Sequence, residues 1–106
     1  MTIVSPTEGA AIGTEVSVEM TASGIVIEPK SEGVRAGHGH FYVAMETDCP
    51  PEGASIAQET SVLNLRDGES SVTIIVDRGP HSLCVGVADG DDLALAARAK
   101  VSFYSY

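Results

Sequence analysis

Imidazole is the side chain with the most to offer near neutral pH, and this chain has three: His38, His40 and His81. His38 and His40 are two residues apart. On a strand both point to one face, with Cα atoms roughly 6.5–7 Å apart. That spacing lets two imidazoles reach one ion. His81 opens a separate apolar run, Leu83-Val85-Val87, at its rim. A shared site is therefore expected, in which His38, His40 and His81 hold Zn²⁺ or Cu²⁺ and leave one position open. The competing expectation is hydrogen bonding, in which a rim histidine ties down a neighbouring loop and no metal is bound.

Other reactive residues point to less. The acidic run Asp89-Gly90-Asp91-Asp92 lacks the spacing and the distal glutamate of a calcium loop, so a solvated turn is expected there. No serine sits in a G-x-S-x-G elbow. Gly37-His38-Gly39 runs into His40-Phe41 rather than a helix start, so it is no phosphate cradle. No enzyme is expected. Cys49 lies in a Pro-rich loop and Cys84 in an alternating apolar run. Two unrelated thiols or one disulfide are both open, and a disulfide would imply an oxidising compartment. Tyr104 and Tyr106 share one face of the last apolar run. They could stack on a sugar or a partner, though such residues more often cap a sheet edge; Tyr42 is a third candidate for recognition.

The elements that must position these residues follow from a side-chain period of two. Val16, Val18 and Met20 alternate with polar residues, and so do Val101 and Phe103. Phe41, Val43 and Met45 alternate with His40, Tyr42 and Ala44, and Leu83, Val85 and Val87 with Cys84, Gly86 and Ala88. Turn signals such as Asp67-Gly68, Gly79-Pro80 and Asp89-Gly90 separate the runs. About seven strands are expected, near 2–5, 15–22, 40–46, 60–65, 70–77, 81–88 and 97–105. That pattern predicts an all-β, immunoglobulin-like antiparallel sandwich. Residues 24–37 alternate weakly and read as a long loop. Residues 92–100, rich in Ala and Leu, favour a turn of helix on propensity.

The 106 residues, with 43% hydrophobic and 20% charged, suit one globular domain spanning 1–106. Fifteen acidic against 6 basic residues leave −9, which repels phosphate backbones, so no nucleic-acid partner is expected. No run approaches the ~18 apolar residues of a membrane helix, so no membrane insertion is expected. The start, MTIVSPTEGA, has neither the basic nor the apolar region of a signal peptide. The chain is thus cytoplasmic, or exported with its signal already removed.

The ordered motifs resemble an uncharacterised family of small exported bacterial domains. Its opening Ser-Pro-x-x-Gly-Ala turn is matched by Ser5, Pro6, Gly9 and Ala10, and its middle by Gly24 and Pro29. Its Gly-His-His-His-Leu signature appears as Gly37-His38-Gly39-His40-Phe41, with glycine replacing the central histidine. A Gly-Gln-Thr-Glu step is loosely matched by Gly68-Glu69-Ser70-Ser71, and the closing strand by Gly79, His81, Leu83 and Asp89. Asp91 and Asp92 stand where the family often has another histidine. The resemblance implies an immunoglobulin-like sandwich, a periplasmic or secreted location and a role for the histidines, but no activity. The Gly-His-Gly-His-Phe stretch also resembles the copper-ligand strand of copper/zinc superoxide dismutases. Their dinuclear site needs more histidines than the 3 present. Two functions thus compete: a metal-binding exported domain, and a passive envelope or interaction module.

Overall fold

Alternating runs form strands because each can bury one face. In the computed structural model, which describes residues 1–57 and 59–106, they do so throughout. The strands are β1 (Thr2–Ser5), β2 (Ala11–Ile12), β3 (Glu15–Thr21), β4 (Val26–Ile27), β5 (His38–Met45), β6 (Val62–Asn64), β7 (Ser71–Ile75), β8 (Gly79–Ala88) and β9 (Ala94–Ser105). A 3₁₀ turn, Lys30–Glu32, interrupts the β4–β5 connection. No α-helix occurs among the described residues.

The strands divide into two sheets. The smaller runs β1-β3-β7, and the larger β2-β9-β8-β5-β4, with β6 also paired to β5. Val16, Val18, Met20 and Ile74 from the smaller sheet meet Phe41, Val43, Leu83, Val85, Val87, Val101 and Phe103 from the larger in one buried core. Full burial of each such side chain contributes about 1.5–3 kcal/mol. The opposite face of the larger sheet is half covered. There Tyr42, Ala44, Cys84, Ala88 and Ala94 are buried with Cys49 and Ile56. Cys49 and Cys84 are bridged, with Cα atoms 5.3 Å apart, so the bond pins the β5–β6 connection onto this outer face. The molecule measures 41 × 25 × 20 Å.

The all-β expectation holds, and the differences have local causes. Residues 94–100 extend β9 instead of starting a helix, because pairing along β8 from Leu83↔Val101 to Ala88↔Ala94 outweighs the propensity of Ala and Leu. Two strands, β2 and β4, are only two residues long, too short to show a period in sequence. Both pair in parallel, β2 with β9 and β4 with β5, so the larger sheet is mixed rather than antiparallel.

Candidate functional site

Polar side chains gather at the two ends of the β5–β8–β9 ladder. At the first end β5 begins and β8 finishes. His40 is 0% exposed and lies on the outer face, two residues from Tyr42. Its Nε2 donates to Asp92 Oδ1 at 3.0 Å, and Asn64 Nδ2 donates to the same oxygen at 3.1 Å. Lys30 Nζ holds the other oxygen at 3.0 Å and also donates to Gly90 O. The turn before β9 aims Asp92 inward. Asp89 Oδ1 accepts the backbone N–H groups of Asp91 and Leu93, and Asp92 takes a φ of 59°, a left-handed conformation that aspartate tolerates. A side chain at Gly90 would collide with the backbone of Gly33, so the turn seats closely on the 3₁₀ segment. Burial works to raise the Asp92 pKa. The bonds from Lys30 and Asn64 and the charges of Lys30 and His40 outweigh it, and the carboxyl lies below its ordinary value.

This end also holds buried polar atoms without a partner among the described residues: His40 Nδ1, the Tyr42 hydroxyl and Asn64 Oδ1. Tyr42 and Asn64 are opposite one another on β5 and β6, and the Tyr42 ring lies over Gly86, where a side chain would strike it. His38 is half-buried, its Nδ1 donating to Glu28 Oε1 at 2.8 Å. Arg35 grips that carboxylate with two bonds, of 2.7 and 3.2 Å. The Arg35 bond is the main reason that the Glu28 pKa is lowered. At Gly39, where the resembling signature has a histidine, a Cβ would lie 2.5 Å from Ala88 O and 2.7 Å from Val87 Cγ1. No third imidazole fits there.

At the second end β5 finishes and β8 begins. His81 donates from Nδ1 to Glu46 Oε1 and from Nε2 to the Asp77 carbonyl, both at 2.6 Å. A ring with both nitrogens donating is an imidazolium. Its pKa is raised, chiefly by the Asp77 carbonyl; desolvation opposes the shift and Glu46 adds to it. The ring leans on Phe103 of the inner core, with centroids 5.6 Å apart.

The structure therefore does not unite the three histidines. His40 pairs with Ala88, and His81 stands seven residues further along β8. At a rise of ~3.3 Å per residue that is roughly 23 Å. They also occupy opposite faces, since His40 alternates with the core residue Phe41 whereas His81 is in phase with Leu83. Among the described residues no group of three or more His, Cys, Asp or Glu side chains is placed to hold a metal ion. Asp89, read as part of a solvated turn, shapes that turn. Asp92, expected in the same solvated turn, is instead buried and holds His40, while Glu28 and Glu46, which hold the other two histidines, carry no signal of that role in the sequence. Glu46 directly follows Met45 of the β5 pattern, but Glu28 and Asp92 sit in connections where no period marks them.

A family model described as Domain of unknown function (DUF4399) matches residues 18–103. No curated protein and no solved structure gives a significant match.

Proposed function

Since the chain belongs to the DUF4399 domain family, we propose that it is a non-catalytic binding module of the cell envelope or exterior whose histidines lock its loops. One observation carries this reading. Each histidine donates a hydrogen bond to a carboxylate on a different connection: His38 to Glu28, His40 to Asp92 and His81 to Glu46. Two sheets around one core support an immunoglobulin-like sandwich as the scaffold. The Cys49–Cys84 bridge supports an oxidising, periplasmic or secreted setting. Among the described residues no helix is long and apolar enough to cross a membrane.

A second reading keeps zinc or copper at His38 and His40, without His81. The buried, unpartnered Nδ1 of His40 is what favours it. Metal analysis and calorimetry with Zn²⁺ and Cu²⁺ on untagged protein separate the two. The loop-locking reading expects no stoichiometric uptake. It also expects Asp92→Asn to cost about 3 kcal/mol in urea unfolding, because Lys30 and His40 lose a buried carboxylate. Stoichiometric metal that disappears in His40→Ala would establish the second reading instead.

A further inference from the structure

The outer face of the larger sheet is covered only over part of its length. Where the cover ends, Glu46, Thr47 and Asp48 rise as a wall beside β8 and β9. A groove of about 500 Å³ lies at its foot, floored by Ser82, Lys100 and Ser102. That volume is in the ~300–1,000 Å³ range of small-ligand sites. Ser82 and Ser102 are opposite one another in the ladder, and Pro80 and Tyr104 form the next pair on the same face. Tyr104, 53% exposed, therefore extends the floor as an aromatic platform.

We propose that this groove and Tyr104 bind a neutral saccharide. The proposal deepens the binding-module reading and rests on it. The lining's chemistry selects the ligand class. The lining's carboxylate that faces the groove already holds a cation, Asp48 pairing with Lys100, while that of Glu46 turns to His81. An anionic ligand would meet the Asp48 carboxylate, and a cationic one would have to displace Lys100. A neutral polyol needs neither. Its hydroxyls both donate and accept, so they can bridge an ion pair without breaking it, and three hydroxyl side chains, Thr47, Ser82 and Ser102, match that dual character. The C–H face of a pyranose packs on an aromatic ring, and tyrosine offers an apolar body with a polar tip. An apolar peptide finds little to bury, because the groove's side chains are mostly polar.

The test titrates the whole protein with maltotriose, cellotriose and triacetylchitotriose, followed by heteronuclear NMR. At least one should give saturable shifts centred on Ser82, Ser102 and Tyr104. Tyr104→Ala, at an exposed position, should weaken that binding roughly tenfold, the scale of one aromatic contact. Arg35→Ala, at the far end of the ladder, should leave it unchanged. Absence of a saturable shift with all three sugars, or binding indifferent to Tyr104→Ala, overturns the proposal. The metal measurements decide the role of the histidines independently of either result.

Discussion

At the scale of single residues, what distinguishes the three histidines is how many of their nitrogens are engaged. His40 and His38 each donate one hydrogen bond to a carboxylate, whereas His81 donates two, to a carboxylate and a carbonyl, and must carry charge to do so. Its folded pKa lies above the ~6.5 of an unfolded chain, so the folded protein holds that proton more tightly. The stabilisation is complete below pH ~6.5 and is lost as pH rises through the folded value. Urea midpoints measured upward from about pH 5.5 should thus fall across that window, and the fall should shrink in His81→Gln. An identical slope in the variant would show that the Glu46–His81–Asp77 contact contributes nothing. Part of this was legible beforehand. The rim position of His81 follows from its phase with Leu83, and the same phase already separates it from His40, which alternates with Phe41. Proximity of strand ends alone suggests a shared site, and that parity argues against it. Asp92 was not legible, because its inward turn depends on a backbone angle and on Lys30, sixty-two residues earlier.

At the scale of elements, β5 and β8 were legible because long runs repeat their period many times. The short β2 and β4 were not, since two residues define no period. The pairing that overrode helix propensity in residues 94–100 is likewise nonlocal and visible only with β8 alongside. The β5–β6 connection has little regular structure, yet it buries Cys49 and Ile56 against the sheet. Its cover depends on the Cys49–Cys84 bond, which spans a sequence separation of 35. Closing a loop of that length restrains the unfolded chain by roughly 4 kcal/mol in the chain-entropy account. The double variant Cys49→Ser/Cys84→Ser should therefore unfold at markedly lower urea, by about 2–4 kcal/mol. Amide exchange should quicken mainly in residues 46–57, leaving β3 and β7 less affected. Uniform acceleration over both sheets would mean that the connection is not a separable cover.

At the scale of the molecule, charge opposes compaction. The net −9 leaves most carboxylates without a basic partner, and their mutual repulsion is relieved on unfolding. Exposed pairs such as Asp48–Lys100 offset little of it, since water and salt screen both charges. Adding salt shortens the Debye length to about 8 Å at physiological ionic strength, screening the long-range repulsion more than the close contacts. The melting temperature should accordingly rise between low and moderate sodium chloride, and a fall would show that the ion pairs dominate. The connectivity has a mechanical consequence as well. The chain's first strand lies in one sheet, its second lies in the other, and that second strand runs parallel to the last. The bonds Gly9 N to Ser102 O, Tyr104 N to Ala10 O and Tyr106 N to Ile12 O cross between them. A pull on the two ends of the chain slides these strands past each other. The bonds are then strained together in shear rather than unzipped singly, which makes this short junction a clamp against extension once β1 has been drawn off β3.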